Sequence, residues 1–181
     1  TVLGANASSR LFMNLREDKG YTYGAYSSLD ARRTAGTFRT SAEVRTPVTG
    51  DSLKEFFYEL DRIRTEPVSE KEIADAKSYL TGVFPLRLET QEGLIDQLVQ
   101  IKMFGLPDDY LETYRQHIQA VTIEEIQAAA TKYVRSDEAA IVIVGDGAEI
   151  LDQVKPYSSA IELYNTAGKR KEKPSASSAA R

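Results

Sequence analysis

The segment SSRLFMNLREDKGYTYG, residues 8–24, changes from helical to strand-like character at its first glycine. Leu11 and Leu15 fall on one helical face, and serines precede them in the position of an N-cap. Gly20 is predicted to end this helix, because glycine readily takes the left-handed conformation that terminates helices. Aromatic and small side chains over residues 21–28 then predict a strand.

A second strand is predicted directly after the first. Residues 37–44 alternate, with Phe38, Thr40, Ala42 and Val44 on one side and polar residues on the other. A period of two residues is typical of a strand with one buried face. The polar turn between the two runs favours an antiparallel hairpin.

Helical periodicity follows the hairpin and marks several successive helices. Ser69 with Glu72, and Thr122 with Glu125, have the spacing of a capping box, which predicts a helix start at each pair. In the helix before Ser69, apolar residues recur at helical spacing: Leu53, Phe56, Phe57, Leu60 and Ile63. The helix that starts at Ser69 carries a similar series: Ile73, Ala76, Leu80 and Phe84.

The end of the chain predicts shorter elements. Pro85 is expected to interrupt the helical run, and the apolar residues 139–144 predict a short strand. Residues 150–154 predict a small helix, and residues 159–164 predict a last strand. Because the helices are grouped between strands instead of alternating with them, the sequence favours the α+β class.

Composition excludes several kinds of function. The chain has 181 residues, no cysteine and one histidine, His117, so it offers no disulfide, thiolate site or multi-histidine metal site of its own. The formal net charge is −4, while residues 168–181 alone carry five Lys or Arg and one Glu, so the rest carries −8. An acidic body argues against nucleic acid as a partner. No apolar run is long enough for a membrane span, and residues 167–181 are predicted to be a disordered basic tail.

Arg16 and Tyr23 are the candidate functional residues, because they lie seven apart across the predicted turn at Gly20. A guanidinium and a phenol that converge near the helix end would donate hydrogen bonds to a peptide carbonyl or to a developing oxyanion. The alternative is that Arg16 only closes the helix C-terminus and Tyr23 packs. Gly145-Asp146-Gly147 begins like a dinucleotide fingerprint but lacks its third glycine, so a helix-capping turn is predicted there.

Six segments along the chain together resemble the second-domain signature of the insulinase/pitrilysin family of zinc peptidases, which includes the mitochondrial processing peptidase. The segments are Leu3-Gly4, residues 8–24, Leu86 to Gly93 (LRLETQEG), Leu106 to Tyr110 (LPDDY), Val121 to Ile126 (VTIEEI) and Ala140 to Asp146 (AIVIVGD). The resemblance implies an α+β fold with one antiparallel sheet and helices packed on one face.

The same resemblance implies a role. In that family two such halves close around an unfolded peptide, and one half holds zinc through His-x-x-Glu-His and a distant Glu. The other half supplies an Arg and a Tyr to the catalytic centre, and Arg16 and Tyr23 match that pair. By this resemblance Tyr23 donates to the substrate carbonyl or oxyanion, and Arg16 holds a backbone carbonyl of the substrate.

This sequence has no His-x-x-Glu-His, so residues 1–166 are expected to be the non-zinc half, inactive alone and without a cofactor of its own. The chain does not begin with Met, and the first strands and helix of the domain are expected to be absent. Zinc is expected in a partner domain or a homologous subunit. The alternatives are a non-catalytic scaffold subunit of the same family and a plain peptide-binding module. The compartment stays open between bacterial cytoplasm and periplasm.

Overall fold

The opening segment folds as a helix, a tight turn and a hairpin in the computed structural model, which describes residues 1–171. One α-helical turn, α1 (Arg10–Phe12), continues directly as a π-helix over Met13–Asp18. Strand β1 (Thr22–Asp30) then pairs antiparallel with β2 (Thr37–Val44). The predicted helix–turn–strand unit and the hairpin are therefore confirmed.

Helices make up most of the remaining chain. The α-helices among the described residues are α2 (Thr49–Thr65), α3 (Glu70–Leu88), α4 (Gln91–Phe104), α5 (Tyr110–Ala120), α6 (Ile123–Tyr133) and α7 (Gly147–Val154). Single 3₁₀ turns lie at Thr46–Val48, Ser136–Glu138 and Lys155–Tyr157. Two short strands, β3 (Leu163–Tyr164) and β4 (Arg170–Lys171), form a separate antiparallel ladder.

Both predicted capping boxes are present. At the start of α3 the Ser69 hydroxyl accepts the N–H of Glu72 at 3.2 Å, and the Glu72 carboxylate accepts the N–H of Ser69 at 2.8 Å. At the start of α6 the same two bonds join Thr122 and Glu125, at 3.2 and 2.9 Å. Each box satisfies two N–H groups that a helix start leaves without a partner.

The core lies where the hairpin and the opening helix meet α2, α3 and α6. We call α1 and the π-helix together (Arg10–Asp18) the opening helix. Leu11 and Leu15 are fully buried, so the apolar face predicted for this helix lies in the core. Ala25 faces the core from β1, and Ala42 packs against it from β2. The chain is thus an α+β structure with an antiparallel sheet and helices packed on one face, as predicted. None of the helices within residues 1–171 is long and apolar enough to cross a membrane.

Two predictions about elements are wrong. Residues 139–144 form no strand, and Val142 and Val144 are 86% and 97% exposed. A strand needs a neighbour for its N–H and C=O groups, and no described strand lies beside this run. Pro85 does not interrupt its helix either: α3 continues to Leu88 with the proline inside it.

The predicted basic tail falls largely beyond what the structure describes. Residues 172–181 lie outside the described residues. Within residues 167–171, Arg170–Lys171 pairs with Leu163–Tyr164 in the second ladder.

Candidate functional site

Arg16 lies on the π-helix Met13–Asp18, where the chain inserts an extra residue into the turn. The N–H of Lys19 donates to the carbonyl of Asn14 at 3.0 Å, a bond five residues back along the chain. The N–H of Gly20 donates to the carbonyl of Arg16 at 3.1 Å and closes the turn. π-Helical turns are rare and occur frequently at functional sites. We call residues Met13–Asp18 the π-turn.

Among residues 1–171 the Arg16 side chain contacts its sequence neighbours Phe12 and Glu17. Its Cζ lies 4.7 Å from the centroid of the Phe12 ring, a cation–π distance. Its Nε lies 3.6 Å from Glu17 Oε1, and the side chain is 45% exposed. An exposed ion pair of this kind contributes little stability. The guanidinium is therefore open to an incoming ligand.

Tyr23 lies in a β-bulge. The register of the hairpin shifts between Thr22 and Ala25, so that Tyr23 and Gly24 together oppose the single residue Glu43. A bulge of this kind locally bends its strand and can redirect a side chain. The glycine inside a predicted strand was the one sequence signal for it.

The bulge is closed by the hydroxyl of Thr22. This hydroxyl donates to the carbonyl of Glu43 across the hairpin at 2.6 Å and accepts the N–H of Gly24 at 3.1 Å. Tyr23 is left 95% exposed. The alternative that Tyr23 packs is therefore wrong, and no side chain or backbone group within residues 1–171 hydrogen-bonds its hydroxyl.

Arg16 and Tyr23 thus stand on either side of the left-handed turn at Gly20, where φ is +63°. Both are exposed, and both are presented by irregular backbone. Among residues 1–171 no hydrogen bond joins the two side chains. The structure therefore gives each side chain a free donor and leaves their convergence on one ligand as a prediction. Sequence reasoning missed the roles of Thr22 and Asn14 in shaping this segment.

Behind the π-turn, a polar contact joins the opening helix to α2. Asn14 Nδ2 donates to Glu59 Oε1 at 2.9 Å and to Glu55 Oε2 at 3.0 Å. Glu59 is only 2% exposed, and Arg62 Nη1 lies 3.4 Å from each of its carboxylate oxygens. These residues line one wall of an open groove of about 660 Å³ between the π-turn, α2 and α3.

A second ion pair stands at the other end of that groove. Arg10 is buried, and its Nε lies 2.6 Å from Glu72 Oε1, the carboxylate that also caps α3. Burial raises the pKa of the Glu72 carboxyl, but hydrogen bonds from Arg10 and Ser69 outweigh it. They hold that pKa at about 2, below its ordinary value of 4.5.

The residues do not fit a zinc site. Within the described part of the chain no three His, Cys, Asp or Glu side chains are placed to hold a metal ion. The single histidine, His117, is exposed on α5. The chemistry that this chain offers at the candidate site is therefore hydrogen-bond donation by Arg16 and Tyr23.

Comparisons with known proteins agree on one family. A family model described as peptidase M16 inactive domain matches residues 1–80. An uncharacterized zinc protease of Mycobacterium tuberculosis is 31% identical over 131 residues, which are 72% of this chain and 30% of the relative. A non-peptidase homolog of Helicobacter pylori is 25% identical over 152 residues, 80% of this chain and 34% of the relative. The crystal structure of a peptidase M16 inactive domain from Pseudomonas fluorescens superposes with a TM-score of 0.67 at 28% identity, covering 73% of this chain and 32% of that one.

The fold is that of peptidase M16 inactive domains, and the part of the chain that the structure describes holds no zinc site. Residues 1–80 match the inactive domain of the M16 peptidase family, which confirms the resemblance read from the sequence. It spans about a third of the length of the curated relatives it matches.

Proposed function

We propose that this chain is the non-zinc half of a zinc endopeptidase and completes its peptide-binding cleft. The observation that supports this most directly is the pair of exposed donors, Arg16 and Tyr23, on a π-turn and a β-bulge that flank one glycine turn. The fold uses neither donor in its core. Exposed donors carried by irregular backbone are expected at a binding site for a second molecule.

The two donors have different tasks. The planar guanidinium of Arg16 presents several N–H groups and suits a backbone carbonyl of the substrate, which it holds in place. The Tyr23 hydroxyl donates a single hydrogen bond, and its proposed acceptor is the scissile carbonyl oxygen as negative charge develops on it. Neither task needs a metal in this chain. Zinc is proposed to reside in a partner domain or homologous subunit, and an unfolded peptide is the proposed substrate.

Substitutions in the assembled protease test this assignment. Arg16→Ala and Tyr23→Phe are each expected to lower kcat/KM for peptide cleavage by tens-fold or more, since removal of one oxyanion donor costs about 100–1,000-fold in other hydrolases. Arg115→Ala on α5 and Tyr133→Phe on α6 remove the same chemical groups from exposed positions elsewhere and serve as matched controls. Wild-type rates in both Arg16→Ala and Tyr23→Phe would refute the proposal.

A non-catalytic role is the second candidate. It is favoured by one observation, that the Helicobacter pylori relative is described as a non-peptidase homolog. A scaffold subunit would assemble with its partner and show no peptide turnover at all. A plain peptide-binding module would bind peptide with measurable affinity, again without turnover. A His-x-x-Glu-His motif in the same reading frame or in a neighbouring gene would favour the protease.

A further inference from the structure

We propose that Asn14 and Glu59 are positioning residues, which hold the π-turn in the register that presents Arg16. This inference rests on the role proposed above for Arg16. It concerns a buried polar contact between the opening helix and α2, 45 residues apart in sequence.

Asn14 forms hydrogen bonds through both its backbone and its side chain. Its carbonyl accepts the N–H of Lys19 at 3.0 Å, which is the π-type bond itself. Its side-chain Nδ2 donates to Glu59 Oε1 at 2.9 Å and to Glu55 Oε2 at 3.0 Å. Asn14 therefore accepts the π-type backbone bond and also joins the π-turn to α2 (Thr49–Thr65).

The contact is placed where an apolar one would be expected. Asn14 is 8% exposed and Glu59 is 2% exposed, and the neighbouring Leu11 and Leu15 are fully buried. Asn14 Oδ1 is buried and finds no hydrogen-bond partner within residues 1–171. A buried polar atom left unpaired is unfavourable, and an apolar pair of similar shape is often as stable or more so. We therefore explain the polar pair of Asn14 and Glu59 by the orientation that it gives to the π-turn, and not by a gain in stability.

The extra residue of the π-turn changes the direction in which Arg16 leaves the helix. An α-helix turns by about 100° per residue. If the π-turn relaxed to α-helical spacing, its extra residue would rotate Arg16 by roughly that angle relative to Gly20 and Tyr23. The guanidinium would then leave the direction in which the π-turn presents it. Glu59 resists this movement because Arg62 contacts both of its oxygens at 3.4 Å.

The first test separates position from stability. In the double variant Asn14→Leu/Glu59→Leu both polar partners leave together, while Glu55 keeps Lys19 at 3.7 Å and Arg62 keeps Glu66 at 3.0 Å. We expect its urea midpoint to equal or exceed that of the wild type, while kcat/KM for peptide cleavage by the assembled protease falls about 100-fold, as for a catalytic group displaced by about 1 Å. Glu59→Gln keeps an acceptor for Asn14 Nδ2 and is expected to restore kcat/KM to within about 3-fold of the wild type. Ser52→Ala is the control, because it removes a buried polar group of α2 whose hydroxyl donates to the carbonyl of Val48, the residue directly before that helix, at 2.7 Å.

The second test does not depend on proteolysis. Amide hydrogen exchange in the 181-residue chain reports the Lys19 N–H that bonds Asn14. In Asn14→Ala, which removes the side chain without adding bulk, this amide is expected to exchange at least about 10-fold faster, while amides in the middle of α2 keep their wild-type rates.

The outcomes distinguish the two proposals. If Arg16→Ala lowers cleavage but the double variant and Asn14→Ala cleave as the wild type does, the positioning role is overturned and the proposed function stands. If neither Arg16→Ala nor Tyr23→Phe lowers cleavage, the proposed function fails. The positioning of the π-turn is then decided by the Lys19 amide alone: faster exchange in Asn14→Ala supports it, and an unchanged rate overturns it.

Discussion

Replacing Glu72 by glutamine tests the ion pair that joins the opening helix to α3. Arg10 donates to the Glu72 carboxylate twice, from Nε at 2.6 Å and from Nη2 at 3.2 Å. The N–H of Ser69 donates to the same carboxylate at 2.8 Å. Glu72→Gln keeps the shape of the side chain and removes the charge on which these bonds depend.

The magnitude follows from the pKa of Glu72. A carboxyl with a pKa of about 2 instead of 4.5 favours the folded state by roughly 3 kcal/mol at neutral pH. Since about a quarter of the side chain is exposed, water screens the charges and we reduce this to about 1–2 kcal/mol. A depressed folded-state pKa gives stability that is complete above the unfolded value. That stability is lost as the pH falls from about 5 through about 2.

Urea unfolding at pH 7, 4 and 2 measures this contribution. The wild type is expected to exceed Glu72→Gln by about 1–2 kcal/mol more at pH 7 than at pH 2. Glu125→Gln is the matched control, because Glu125 closes the equivalent capping box on α6 without an arginine partner within the described residues. Parallel pH profiles for the wild type and Glu72→Gln would refute the reasoning.

Two further predictions concern the backbone around the candidate site. Gly20 takes a φ of +63° with free space around it, so Gly20→Ala is expected to lower the free energy of unfolding by about 1–2 kcal/mol. Gly82→Ala, in an open position on α3, is expected to raise the free energy of unfolding by about 0.5–1 kcal/mol. Urea midpoints that move in the same direction for Gly20→Ala and Gly82→Ala would contradict these two predictions. Thr22→Val removes the hydroxyl that bonds the Glu43 carbonyl and the Gly24 N–H, and it is expected to lower the free energy of unfolding by about 1 kcal/mol. Thr22→Ser keeps the hydroxyl and is expected to keep most of that stability. Equal unfolding free energies for the valine and serine variants would show that the hydroxyl does not stabilise the bulge.

Much of the helical part of the fold could be predicted because its signals are local. The capping boxes at Ser69 and Thr122 involve residues three apart, and both were found. The apolar face of Leu11 and Leu15 needs only helical spacing. Gly20 was predicted to end the first helix for a conformational reason, and its positive φ confirms that reason.

The features that shape the site could not be predicted, because they depend on distant contacts. The π-turn is tied to Glu59, 45 residues from Asn14, and the bulge is closed by Glu43, 21 residues from Thr22. The error at residues 139–144 has the same origin. An apolar run predicts a strand only if another strand lies beside it, and neighbouring strands are not recorded in local periodicity.

The two irregular turns argue for a site independently of any resemblance. Leu11, Leu15 and Ala25 from these two elements belong to the core, whereas Arg16 and Tyr23 are exposed. Both irregularities fall within the twelve residues from Met13 to Gly24, and each presents one exposed donor. Irregular backbone that carries free polar groups is expected where a fold has to meet a second molecule. A guanidinium and a phenol hydroxyl that both donate hydrogen bonds suit a role of holding and polarising a carbonyl whose bond-breaking chemistry is supplied from elsewhere.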